Sequence, residues 1–228
     1  MNAELTRALR TYGVMLLCGS TVCEGAAPAQ TPTGSFVARV EALAVLQTLN
    51  ADLLSHDSAT LTLERWCDVH RLASPPRIVA LRVPDVDKQP TPEQRRELAI
   101  TATDPVRYRR VKLMCGAHVL SEADNWYVPG RLTPEMNKLL DTTDSPFGVV
   151  VRALHFQRHT LSSTLLWLPL PAGWEMNAAG ARDAGADQPM PPKLLEHRAV
   201  LTLPDGTPFS EVVETYTDNL LAFPMTPP

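Results

Sequence analysis

The sequence predicts an α+β fold, a mostly antiparallel β-sheet with helices packed on it, and three observations carry that prediction. Apolar residues recur at helical spacing between about Phe36 and Leu72. Short runs with two-residue alternation, bounded by turn signals, fill most of the chain beyond Leu72. Strands alternating with helices in βαβ order are absent, which removes the parallel-sheet architectures. Composition agrees: 21 prolines against 11 glycines in 228 residues, roughly double the ~5% proline of an average protein, favour short elements and many turns.

Phe36, Val40, Leu43, Ala44, Leu46, Leu49 and Leu53 mark an amphipathic helix over about Phe36 to Leu54. A second helix follows, with Asp57, Ser58 and Thr60 as N-cap oxygens ahead of Leu61, Leu63, Trp66, Cys67 and Leu72, and Pro75-Pro76 as its stop. Arg77 to Val83 reads as a strand. The stretch from Asp85 to Arg96, with Pro90 and Pro92 among charges, reads as an exposed loop. Two strands, Val106 to Cys115 and His118 to Val128, flank Gly116-Ala117 as a hairpin. Thr133 caps and Pro134 opens a short helix. Phe147 to Leu154 is a short helix feeding a strand that runs to about Leu168, and Pro171 to Pro192 is a mobile excursion rich in Gly, Ala, Asp and Pro. Leu195 to Leu203, the turn Pro204-Asp205-Gly206 and Thr207 to Thr217 close the chain as a second hairpin.

The first residues are of a different kind. Arg7 and Arg10 precede the apolar stretch Tyr12 to Val22, which is far shorter than the ~20 residues that span a bilayer, and Ala27-Pro28-Ala29 supplies a signal-peptidase pattern. Residues 1–29 therefore read as a signal peptide and 30–228 as one domain, periplasmic or secreted. Neither Cys18 nor Cys23 follows a small residue, so no lipid anchor and no stable membrane attachment after cleavage is expected. That leaves Cys67 and Cys115, either bridged in an oxidising compartment or present as two buried thiols.

The net charge of −4 argues against binding nucleic acid by bulk electrostatics. No Gly-rich phosphate loop, G-x-S-x-G elbow, H-E-x-x-H or C-x-x-C pair occurs, and His155 and His159 have no carboxylate nearby in sequence, so no metal is expected. Alternation on the strand ending at Cys115 puts Val111, Leu113 and Cys115 on one face and Tyr108, Arg110, Lys112 and Met114 on the other. In the closing hairpin, Arg198 and Glu214 share a face if the turn has three residues and oppose each other if it has two. Glu211, on the face opposite Glu214, is expected to be exposed, and Trp126-Tyr127 to cover a sheet edge or pocket rim.

Five stretches in order resemble the chorismate pyruvate-lyase family, whose fold is shared with the effector-binding domain of many bacterial transcription regulators. They are Ser58-Ala59-Thr60-Leu61-Thr62 at the head of a helix, Arg110 to Cys115 on a strand, Leu132 to Gly148, His197 to Val200, and Pro208 to Tyr216. The resemblance implies that Arg110 holds a ligand carboxylate, that Arg198 is a second cationic contact, and that Glu214 exchanges a proton at the cleaved oxygen. Thr60, Leu61 and Thr62 would lie near a lid. Catalysis would fall to Glu214 and Arg110, eliminating pyruvate from chorismate to give 4-hydroxybenzoate without any cofactor. No DNA-binding helix-turn-helix precedes the domain, so a transcription regulator is not expected. Two alternatives stand beside the lyase: an exported, non-catalytic binding protein for a small aromatic or sugar acid, and a structural or interaction protein that keeps the fold.

Overall fold

The computed structural model describes residues 35–183 and 189–224. The stretch read as a signal peptide lies outside these residues, as do five residues of the excursion before Pro192. Among the described residues no helix is long and apolar enough to cross a membrane.

Helix α1 (Phe36–Leu54) starts where Ser35 Oγ accepts the Ala38 amide, and buries Ala42, Leu46, Leu49 and Leu53, one residue per turn. Helix α2 (Ala59–Val69) is capped by Ser58 and buries Leu63, Trp66 and Cys67. Strand β1 (Ile78–Arg82) leads to α3 (Pro92–Glu97), then the hairpin β2 (Arg107–Cys115) and β3 (His118–Tyr127). After α4 (Pro134–Thr142) and the single turn α5 (Phe147–Val150) come β4 (Gln157–Leu165), α6 (Ala178–Asp183), β5 (Lys193–Thr202) and β6 (Pro208–Thr217). The six strands form one sheet in the order β1-β2-β3-β6-β5-β4, every pair antiparallel. The α+β class read from the sequence is the class observed.

Two segments differ from the sequence reading. The stretch around Pro90 and Pro92 is not all loop: Thr91 and Gln94 form a reciprocal capping box and Pro92 occupies the first helical turn, so α3 forms. Within the excursion, α6 is held against α1 by Arg39, whose Nη2 donates to the Ala181 and Arg182 carbonyls.

Each hairpin turn requires a glycine. Gly116 takes φ +57° in the two-residue β2–β3 turn, where an added Cβ would lie 2.7 Å from Ala73 Cβ. In the β5–β6 turn Gly206 takes φ +85°, and the Leu203 amide donates to the Thr207 carbonyl across Pro204-Asp205-Gly206.

A three-residue loop would put Arg198 and Glu214 on one side. The strands then shift: Thr202 pairs with Pro208 but Leu201 pairs with Ser210, leaving Phe209 as an extra residue. That bulge moves the register by one, so His197 faces Glu214 and Arg198 faces Val213. Phe209 is fully buried and packs against Phe147 and Phe156.

The main core lies between α1, α2 and the inner face of the sheet, around Leu46, Leu49, Leu63, Leu113, Leu195 and Tyr216. A smaller cluster joins Tyr127, Leu132, Met136, Leu140 and Phe209 at the other end. Cys67 on α2 and Cys115 on β2 are disulfide-bonded with Cα atoms 6.3 Å apart, tying helix to sheet.

Candidate functional site

Where the two clusters meet, the inner sheet face carries polar residues instead of apolar ones. By register, Arg109 and Asn125, then Glu214 and His197, and Arg158 on β4 all project to the side occupied by α2. All of these but His197 line a pocket with about 520 Å³ of empty space, its mouth included. Asp57, Ser58, Ala59 and Thr60 at the start of α2 form one wall. Val111, Leu113, Leu201, Val212, Phe147 and Phe156 supply apolar surface. Gly148 sits so close to α2 that a Cβ there would meet Ser58 Oγ at 3.2 Å.

The charges are unequally satisfied. Arg158 Nη2 donates to Glu214 Oε2 at 2.6 Å, with side chains only 5% and 7% exposed. Tyr216 donates its hydroxyl to the same oxygen at 3.1 Å, and the Arg158 backbone amide donates to Asp57 Oδ1. Burial by itself would lower the Arg158 pKa, but the facing Glu214 carboxylate, with Tyr216 and Asp57, outweighs it and raises the value. His197 below them is pushed down to about 4, by burial first and by Arg158 second, with Glu214 opposing. Its neutral ring hydrogen-bonds through Nε2 to Asn50 Oδ1.

Arg109 is different. It is 5% exposed, and its Nη2 donates to the Ser145 and Thr143 carbonyls. Its Nε and Nη1 have no hydrogen-bond partner. Burial, and then the neighbouring Arg82 charge, lower its pKa to about 10. Among the described residues no carboxylate stands within ion-pair distance of it, so a cation is buried at the pocket wall with donors to spare.

No family model matches the chain. Over 192 residues it is 57% identical to the uncharacterized protein y4mC of Sinorhizobium fredii (strain NBRC 101917 / NGR234), a match that covers 84% of this chain and 81% of that protein. The chain belongs to the y4mC family. Among solved structures it is similar to the effector domain of PhnF from Mycobacterium smegmatis, at 12% identity and TM-score 0.45, over 72% of this chain and 90% of that one. It is similar also to the possible transcriptional regulator YydK from Bacillus subtilis subsp. subtilis str. 168, at 17% identity and TM-score 0.40. That match covers 66% of this chain and 62% of the regulator, less than two thirds of its length.

In this member of the y4mC family the residues singled out from the sequence divide between the two sheet faces. Glu214 and Thr60 line the pocket. Leu61 and Thr62 do not, because one and two helical steps turn them away from Thr60, and Thr62 Oγ1 accepts from Arg65 instead. Arg110 lies on the outer face, paired with Glu122 at 3.3 Å. The same alternation that sends Arg110 outward brings Arg109 inward beside Val111. Arg198 is also on the outer face, 3.1 Å from Glu211 Oε1 and 3.3 Å from Glu97 on α3. The expected convergence of Arg110, Arg198 and Glu214 on one pocket does not occur; Arg109 and Arg158 are the cations beside Glu214. Arg109 could have been found by carrying the strand alternation through to its end. Arg158 had no sequence signal beyond a place on a predicted strand.

Glu211 is not exposed as expected. It is fully buried under α3, where Gln94 and Arg198 both donate to its Oε1. Trp126 and Tyr127 are both buried, Trp126 on the outer face with Nε1 donating to the Lys88 carbonyl, and Tyr127 on the inner face against Phe147.

Proposed function

We propose that the chain is a non-catalytic binding protein for a small aromatic carboxylate, held in the inner pocket with Arg109 as its anchor. The observation that carries this reading is the Arg109 guanidinium: nearly all buried, without a carboxylate partner, and with two nitrogens unpartnered at a pocket walled by Phe147, Phe156 and Val212. A carboxylate there would satisfy a buried cation, and the aromatic walls would cover a ring. The N-terminus of α2 opens onto the same pocket and favours negative charge.

Glu214 in the same pocket supports a second reading, elimination of pyruvate from chorismate. Against it, both Arg158 and Tyr216 already donate to the carboxylate oxygen that would have to exchange a proton. Export to an oxidising compartment belongs to the first reading. It is supported by the pattern of residues 1–29 and by the Cys67–Cys115 bridge.

Calorimetric titration of the purified protein with benzoate and 4-hydroxybenzoate tests the binding reading, with Arg109→Met and Arg110→Met beside wild type. Arg109→Met should weaken binding by about 2 kcal/mol or more, about thirtyfold, while Arg110→Met should bind as wild type does. Equal affinity of both variants would refute the assignment. Chorismate incubated with wild type and followed by chromatography should yield no 4-hydroxybenzoate and pyruvate; their appearance would select the lyase. Mass spectrometry of secreted material should find Gln30 at the N-terminus.

A further inference from the structure

Arg109 borders two cavities. The second lies at the free edge of β2 beyond the end of β1, encloses about 570 Å³ of empty space with its mouth, and is lined by polar groups, among them Arg82, Arg107, Tyr108, Arg109, Tyr127 and Asp141. The register explains why three guanidinium groups gather there. Arg107 and Arg109 are two apart on β2 and so share the inner face, and Arg82 at the end of β1 pairs with Val111 on that same face.

These arginines have a structural duty, but it leaves charge unspent. Arg107 Nη1 meets Asp141 Oδ2 at 2.6 Å. Arg82 donates to the Asp141 carbonyl and Arg109 to those of Thr143 and Ser145, so all three hold the chain leaving α4. Carbonyls accept hydrogen bonds without neutralising a cation. The lining carboxylates are Asp141, already taken by Arg107, and Asp87, which accepts from Gln89. The two unpartnered nitrogens of Arg109, Nε and Nη1, lie on different edges of the guanidinium plane with the occupied Nη2 between them. One carboxylate in the apolar pocket therefore cannot satisfy both.

We propose that this second cavity is a binding site for a phosphate-class oxyanion, held by Arg82, Arg107 and Arg109. A tetrahedral oxyanion has oxygens for three separate guanidinium donors and offsets the positive charge that the three arginines keep in excess over Asp87 and Asp141. The site shares Arg109 with the carboxylate pocket but requires none of that pocket's apolar walls.

Inorganic phosphate is the probe, titrated into the full chain and followed by phosphorus NMR line broadening and by calorimetry, with benzoate titrated in parallel. Wild type should bind phosphate at one site. Arg82→Gln should weaken phosphate about tenfold or more and leave benzoate affinity within twofold, and Arg82→Lys should recover part of the loss. Arg107→Gln is the second variant, its fold checked by circular dichroism. Failure of wild type to bind phosphate, or unchanged phosphate affinity in both Gln variants, overturns the proposal. Phosphate binding that depends on Arg82 in a protein that ignores benzoate keeps this site and removes the carboxylate reading.

Discussion

Arg158 and Glu214 are joined by a 2.6 Å ion pair that reaches from β4 across β5 to β6 in the wall of the inner pocket. Both side chains are almost wholly out of water, so each is the other's main compensation for lost hydration. Breaking one partner should cost more than the pair itself contributes. Arg158→Met is expected to lower stability by about 3–5 kcal/mol, the range for leaving a buried charge alone. The double variant Arg158→Met with Glu214→Leu should regain most of that loss. Urea unfolding of the two single variants and the double closes the cycle, and a double variant no more stable than Arg158→Met would count against this account.

The Cys67–Cys115 bridge joins residues 48 apart. Closing a loop of that length in the unfolded chain corresponds to about 4 kcal/mol by the loop-entropy relation. Both cysteines are fully buried in the main core, and replacing the pair by Ala should lower stability by an amount of that order. The check is denaturant unfolding of the double Ala variant against oxidised wild type. A reducing agent should shift wild type toward the variant.

Much of the fold was legible because the signals were local and repeated. Ser58 as a cap, the α1 stripe through Leu46, Leu49 and Leu53, and Gly116 in a two-residue turn each announce an element from within a few residues. The site was legible only in part. The strand alternation already assigned Arg110 to the face opposite Val111 and Leu113, and following it would have chosen Arg109 over the position that the family resemblance pointed to. The facing of Arg198 could not be read, since it turns on one extra residue, Phe209, directly after Pro208, and a proline is equally at home as the first residue of a regular strand. Glu211 was misjudged for a related reason. Its cover is α3, six residues long and too short for any periodicity, though the Thr91, Pro92 and Gln94 trio did mark a helix start.

Gly116→Ala tests the close approach at the β2–β3 turn. An alanine at φ +57° is strained, and its Cβ would press on Ala73 Cβ at 2.7 Å in the segment just after α2. The two effects together are expected to cost about 1–3 kcal/mol. Gly130→Ala is the control, because a Cβ there meets nothing within 4 Å. Thermal unfolding should show the first variant destabilised and the second close to wild type; equal midpoints would contradict the packing described.

Glu211 should make stability fall as pH rises through the weakly acidic range. Its side chain is 0% exposed, and its Oε2 has no hydrogen-bond partner. Burial, and after it the neighbouring Glu97 carboxyl, raise its pKa to about 7, while Arg198 and Gln94 pull the other way. The folded chain therefore holds this proton where the unfolded chain, with an ordinary carboxyl pKa near 4.5, has released it. More protons bound in the folded state means that stability decreases with pH across that window, from about 4.5 to about 7, and then levels off for this group. Glu211→Gln cannot ionise but keeps an acceptor for Gln94 and Arg198. The difference in urea midpoint between Glu211→Gln and wild type should therefore move in favour of the variant as pH is raised from 5 to 8. A difference that stays constant over that range would show that Glu211 is ionised throughout, and that Arg198 outweighs burial at the seat of α3.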